Sequence, residues 1–218
     1  MIDKVLSPEW AAVLVVDVQN DFCHERGAMS RLGSDMGAVQ SSVQALAGFL
    51  DEARRVGVPV IFIATHHGES TNSQVWLTRG PRSGGEICAA GSWGAEFYQI
   101  APVAGEPVVV KHRYSDFVGT DLEVILRAKE RRSVLTTGVS TNVCVESTAR
   151  DAYMRDYHLV IVDERCGAFA NAEHEATLHN VRRYFGRVLN SRDIASYWRS
   201  RRSPISTTGA PRVSTSPT

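Results

Sequence analysis

Along the chain, short apolar runs alternate with longer stretches in which apolar residues recur every three or four positions. Ala11-Ala12-Val13-Leu14-Val15-Val16, Val58-Pro59-Val60-Ile61-Phe62-Ile63-Ala64, Pro107-Val108-Val109-Val110, Ser133-Val134-Leu135-Thr136-Thr137 and Leu159-Val160-Ile161-Val162 are β-prone and largely without polar alternation. Such runs fit parallel strands covered on both faces. Between them, helical spacing predicts helices over 39–56 (through Val43, Leu46, Leu50 and Ala53, ended by Gly57), 121–130, 143–157 and 173–185. A last short strand over 187–189 and a closing helix over 191–198 complete the pattern. This alternation predicts one α/β domain over residues 1–198, a three-layer α/β/α arrangement around a mainly parallel sheet of about six strands. Residues 199–218, rich in Arg, Ser, Thr and Pro, are expected to form a disordered tail.

The connection from Thr65 to Gly105 is longer than a plain loop needs to be, and it carries Trp76, Trp93, Phe97 and Tyr98. A connection of that length inside a compact domain is usually functional, as a lid or an interface. Composition narrows the partners. The 218 residues include 24 Lys and Arg against 24 Asp and Glu, so no charge excess favours nucleic acid or an anionic membrane. Met1 to Trp10 lacks the basic and apolar regions of a signal peptide, and no apolar run approaches spanning length; a cytoplasmic protein is expected. Cys23, Cys88, Cys144 and Cys166 are widely spaced, without a Cys-x-x-Cys pair, which argues against zinc and against a disulfide framework.

Three apolar runs end in chemistry. Asp17 follows the first, Lys111 follows Val108-Val109-Val110, and Cys144 stands in Gly138-Val139-Ser140-Thr141-Asn142-Val143-Cys144, after the fourth strand and just inside the next helix. The carboxyl edge of an open parallel sheet is where ligands bind. With Thr141 or Asn142 as cap, unpaired N–H groups at the helix start would lower the Cys144 pKa and hold an oxyanion. A carboxylate beside a thiol can take its proton, and an ammonium stabilises both anions. Taken singly, Asp17 reads as a turn residue, Lys111 as a solvated strand end and Cys144 as a small buried apolar residue; together they predict a nucleophilic site.

From about Ala11 to about Trp198 the chain resembles the isochorismatase-like cysteine hydrolases. The resemblance rests on Val16-Asp17-Val18-Gln19-Asn20-Asp21-Phe22, Lys111-His112-Arg113-Tyr114-Ser115-Asp116-Phe117 and Gly138 to Thr148. That family includes nicotinamidases, carbamoylsarcosine-type amidases, ureidoacrylate and biuret-type amidohydrolases, and isochorismatases. The resemblance implies an Asp-Lys-Cys triad at Asp17, Lys111 and Cys144, a cis peptide between Val139 and Ser140, an oxyanion hole from the amides of Ser140 and Cys144, no cofactor, and a homo-oligomer, dimer or tetramer. It further implies thioester chemistry on a C–N bond, with the second and third motifs closest in look to the ureido and carbamoyl amidohydrolases.

For a small-molecule substrate, the pocket wall is expected to draw on Phe22, Tyr114, Phe117 and Trp76, with Trp93 as a further candidate and His67 as a polar group. Arg113 offers a guanidinium to a substrate carboxylate or to a structural salt bridge, and the structural use is the expectation. His66 and His67 follow a strand end, where nicotinamidases bind zinc through an Asp-x-His pattern. Ala64-Thr65-His66-His67 lacks that aspartate, so no metal is expected. The leading expectation is an amidohydrolase that releases ammonia from a small ureido, carbamoyl or primary-amide substrate. The alternatives are a lactamase or nicotinamidase-like hydrolase of a ring amide, and a non-catalytic binding or assembly module.

Overall fold

The strands are β1 (Ala11–Val16), β2 (Val60–Thr65), β3 (Val108–Lys111), β4 (Ser133–Val139), β5 (His158–Gly167) and β6 (Arg187–Leu189) in a computed structural model that describes residues 2–80 and 86–201. They pair in the order β3-β2-β1-β4-β5-β6, every pair parallel. β1 lies centrally, with Val13 opposite Val60 on one side and Leu135 on the other. Six consecutive buried residues make up each of β1 and β2, as expected of strands with a helical layer on both faces.

Because successive side chains in a strand point to opposite faces, the same run feeds two cores. Val13 and Val15 join Phe62, Leu135 and Val160 in one cluster, packed on the helices Gly37–Gln44, Leu46–Arg55 and Ser191–Ser200. Leu14 and Val16 join Ile61, Ile63 and Ile161 in the other, under Leu122–Ala128, Glu146–Met154 and Asn171–Asn180. Trp198 closes the first layer: it is 1% exposed, stacks on Phe49 with ring centroids 5.4 Å apart, and its indole donates to Leu6 O at 2.8 Å. Burying a side chain of that size is worth roughly 4–6 kcal/mol, as an upper bound.

The structure departs from the sequence expectations in local ways. The helix expected over 39–56 is two, Gly37–Gln44 and Leu46–Arg55, interrupted at Ala45, whose φ/ψ of −92°/−3° leaves the helical ladder. The helix expected to begin at Val143 is preceded by a turn of π-helix over Thr141–Val145, and neither Thr141 nor Asn142 caps it; Ser140 holds that position without a side-chain cap bond. β3 is an edge strand of alternating exposure, with Val108 and Val110 outward, rather than buried on both faces. The last helix runs to Ser200, so the expected tail does not start at 199, and its remainder from 202 lies outside the described residues. No described helix is long and apolar enough to cross a membrane.

Candidate active site

At the carboxyl edge of the sheet the strand order reverses between β1 and β4, the place where open parallel sheets bind their ligands. Asp17 leaves β1 with a φ of 51°, a left-handed conformation that costs an aspartate about 1 kcal/mol or more unless its surroundings impose it. Its partners do so. The Asp17 carboxylate accepts from Thr65 Oγ1 at 2.9 Å and lies 2.9 Å from Lys111 Nζ. Next door, Gly138 approaches β1 so closely that a Cβ would sit 2.1 Å from Val16 O, at a φ of +103°. No other residue fits there, and the approach brings the end of β4 against the end of β1. The Val139–Ser140 peptide that follows is cis.

Asp17 and Lys111 are wholly buried and Cys144 is 7% exposed. The Asp17 carboxylate stands within hydrogen-bonding reach of the Cys144 thiol. Burial pushes the Cys144 thiol well above its ordinary value and Asp17 pushes it further, while Lys111 opposes both. The direction is opposite to the sequence expectation of a thiol lowered by a helix start, because the thiolate would be desolvated beside a carboxylate. Lys111 behaves oppositely. Burial pulls its ammonium down, but Asp116 and then Asp17 hold it above the usual lysine range.

Above this floor opens a cleft of about 100 Å³, and its lining includes Phe22, His67, Trp76, Tyr114, Ser140 and Cys144. Six residues singled out in the sequence therefore meet in one place. Trp76 is the hub of the wall: the ring centroids of His67 and Tyr114 lie 4.8 and 5.1 Å from its own, and the Arg79 guanidinium rests 3.8 Å over its face. His67 is buried to 4% exposure, and burial, then the charge of Arg79, lowers it to about 4, so it is neutral at pH 7. Arg113 also lines the cleft; it bonds to the carbonyls of His112 and Thr71 and pairs with no carboxylate among the described residues. The salt bridge expected of it is absent there.

Two expected wall residues lie elsewhere. Phe117 is buried in the second core, tilted against Tyr157 at 5.9 Å, because the turn after Lys111 points it under the sheet. Trp93 is 40% exposed, with Arg26 over its ring at 5.3 Å. Among the described residues no three His, Cys, Asp or Glu side chains converge as a metal site.

Sequence reasoning missed other residues. Asp116, inside the second motif, is wholly buried with Oδ1 2.6 Å from Lys111 Nζ; the signal was a carboxylate five positions after the lysine. Gln19 is buried and ties the end of β2 to the long connection, donating to Thr65 O at 3.0 Å and Ala95 O at 2.7 Å and accepting from Thr65 N at 2.8 Å. Asp21 accepts from the amides of Ala28 and Cys88 at 2.9 and 2.7 Å. The polar residues of the first motif thus hold the long connection onto the end of β1.

Residues 11–193 match the model of the isochorismatase domain. The chain belongs to the isochorismatase family. Among curated relatives, ureidoacrylate amidohydrolase RutB of Agrobacterium fabrum is 30% identical over 87% of this chain and 90% of its own. Among solved structures, a cysteine hydrolase from Pseudomonas syringae pv. phaseolicola superposes with a TM-score of 0.79 at 26% identity, covering 89% of this chain and 94% of that one. N-carbamoylsarcosine amidase from Thermoplasma acidophilum superposes at 0.68 with 29% identity, covering 84% and 96%. The six-stranded parallel sheet flanked by helices is the fold of this isochorismatase-family chain.

Proposed function

We propose that the protein is a cysteine amidohydrolase that cleaves a C–N bond of a small ureido, carbamoyl or primary-amide substrate and releases ammonia. One observation carries the reading: at the floor of a single cleft, a buried carboxylate and a buried ammonium meet beneath a cysteine. The relatives named for ureidoacrylate and N-carbamoylsarcosine support a ureido or carbamoyl group in the substrate.

Each residue has a role its surroundings allow. Cys144 rests as a thiol, since burial and Asp17 both disfavour the anion. When a substrate carbonyl enters, Asp17 takes the proton and the sulfur attacks the carbonyl carbon. The oxyanion that forms rests on the N–H groups of Ser140 and Cys144. Collapse expels ammonia as Asp17 returns the proton to nitrogen, leaving a thioester on Cys144. Asp17 then deprotonates a water molecule; the hydroxide adds to the thioester carbonyl, the C–S bond breaks to release an acid or a carbamate, and Asp17 returns the proton to the Cys144 sulfur. Lys111 stays an ammonium throughout and offsets the negative charge that moves between Asp17, the sulfur and the oxyanion. Vinyl-ether hydrolysis, the reaction for which the family is named, proceeds by protonation and needs no thiol; the intact Cys144 favours C–N cleavage. Phe22, Trp76, Tyr114 and His67 form the substrate wall in this proposal.

A thiol held protonated is slow to alkylate, so low reactivity of the resting enzyme does not argue for a binding module. Turnover does decide. Ammonia release from a panel of ureas, carbamoyl amino acids, primary amides and lactams should appear in one class and vanish in Cys144→Ala; release that survives Cys144→Ala would end the proposal. A homo-oligomer belongs to the same reading, supported by Val75, Leu77 and Trp93, which the long connection leaves exposed; light scattering that finds only monomer would exclude it. A cytoplasmic location is supported by four cysteines that are all free and buried.

A further inference from the structure

Lys111 carries one positive charge and serves two buried carboxylates. Its ammonium has three N–H groups and three close oxygen partners: Asp116 Oδ1 at 2.6 Å, Asp17 Oδ2 at 2.9 Å and Tyr114 O at 2.9 Å. Asp116 is closer than Asp17, is wholly buried, and takes no proton in the reaction proposed above. Its N–H donates to Thr148 Oγ1 at 3.0 Å, and its Oδ2 has no hydrogen-bond partner among the described residues. Its closest polar contact is the Lys111 ammonium, so what it sets into the site is a charge.

The need for that charge follows from the proton traffic. Asp17 alternates between carboxylate and neutral acid, and in its neutral state it ceases to balance Lys111. The charge it gives up passes to the sulfur and the oxyanion, and a wholly buried ammonium needs a carboxylate that stays in place while that charge moves. We infer that Asp116 is the permanent counter-ion of Lys111, a positioning residue that holds the ammonium in place each time Asp17 passes from carboxylate to carboxylic acid. This rests on the amidohydrolase reading for its purpose, though not for its electrostatics. The charged or titratable groups that face Asp116 are Lys111, Asp17 and Cys144; the helix Glu146–Met154 brings up the Thr148 hydroxyl, while its Asp151 is bonded to Ser115 at 2.6 Å. Asp116 is among the groups that push the Cys144 thiol upward and is not among the main influences on Cys23, Cys88 or Cys166. That selectivity makes the role measurable without a substrate.

The experiment is peptide-level iodoacetamide labelling of wild type and Asp116→Asn at pH 8, with Cys23, Cys88 and Cys166 as internal controls. Removing a nearby like charge should shift the thiol by about one pKa unit, so Cys144 should label roughly tenfold faster with the other three unchanged. An unchanged Cys144, or an equal acceleration of all four through loosening, overturns the inference. With ureidoacrylate as probe, kcat should fall about tenfold or more at nearly constant KM, and Asp116→Glu should restore part of it. Failure of the wild type to release ammonia, alongside the selective labelling shift, would count against the amidohydrolase reading and leave the Asp116 role standing. Should Asp116→Asn not fold, the wild type answers instead. Protonation of Asp116 near pH 6 should lift the logarithm of the Cys144 rate above the line extrapolated from pH 7–9, and one straight line through all pH values overturns the inference.

Discussion

Replacing Lys111 by Met exposes how strongly the site depends on one charge. Methionine nearly matches the length and volume of the lysine stem, so the loss is electrostatic rather than steric. The change strands the carboxylates of Asp17 and Asp116, both wholly buried. Removing one partner of a buried ion pair costs about 3–5 kcal/mol, and for a domain of this size each kcal/mol moves Tm by about 2–4 °C. The expected fall at pH 8 is therefore about 6–20 °C. Its pH dependence has a definite sign. Asp116 already stands raised to about 6, mainly by burial, with Lys111 the strongest opposing influence; without Lys111 it rises further. A carboxyl raised in the folded state costs stability as pH climbs from the unfolded value through the folded one. The deficit of Lys111→Met should thus be smaller at pH 5 than at pH 8, where the wild type no longer changes. Thermal melts by circular dichroism at the two pH values measure this, with Lys111→Met/Asp116→Asn expected to regain part of the loss. A deficit below about 1 kcal/mol, or one equal at both pH values, would refute the claim that Lys111 is the counter-ion of a buried acidic pair.

Asp17→Asn should lower kcat by roughly 10²–10⁴-fold, since an amide cannot take the thiol proton; a variant that keeps most of its turnover would remove Asp17 from the mechanism. Gly138→Ala should cost about 3 kcal/mol or more, because the new Cβ meets Val16 O at 2.1 Å; a melting curve that matches wild type would mean β1 and β4 can separate at no cost. Trp76→Ala should raise KM about tenfold with kcat changed little; steady-state kinetics with the reverse split would place Trp76 in the chemistry rather than the wall. His67, lowered to about 4, should stay neutral in NMR titrations from pH 8 to 5. Because its folded value is depressed, it takes stability away as pH falls below the ordinary imidazole value; a ring that titrates near 6.5 would show it to be solvated.

That Asp17, Lys111 and Cys144 would meet was legible because each ends or follows a run that could only be a strand, and strand ends converge at one sheet edge. The sheet itself was equally legible, since continuous β-prone runs have few other uses. What periodicity could not reveal was the balance of charge inside the site. Asp116 reads as one more polar residue in a turn, and only the fold turns it inward onto Lys111. For the same reason the thiol was misjudged: helix-start dipoles are visible in sequence, whereas burial beside a carboxylate is not. Phe117 and Tyr114 sit three positions apart in one turn, and which of them faces the cleft depends on the path of the chain after β3. Gln19 and Asp21 looked like mere neighbours of Asp17, yet their partners, Ala28, Thr65, Cys88 and Ala95, lie farther along the chain, at the end of β2 and in later segments.

The pairing of β1 with β4 sets a schedule for synthesis. The contact between Thr137 and Leu14 spans 123 residues of chain, so one flank of β1 waits unpaired while everything between is made. At about 5–20 residues per second this wait lasts roughly 6–25 s. During that time β2 can dock, but the other edge of an apolar strand stays open to strangers. Cys144 emerges later still, and the site cannot exist before it does. A nascent chain therefore passes through its most aggregation-prone stage before it has any activity to protect, and folding in a cell-free system should gain from a chaperone that covers β1 until β4 arrives.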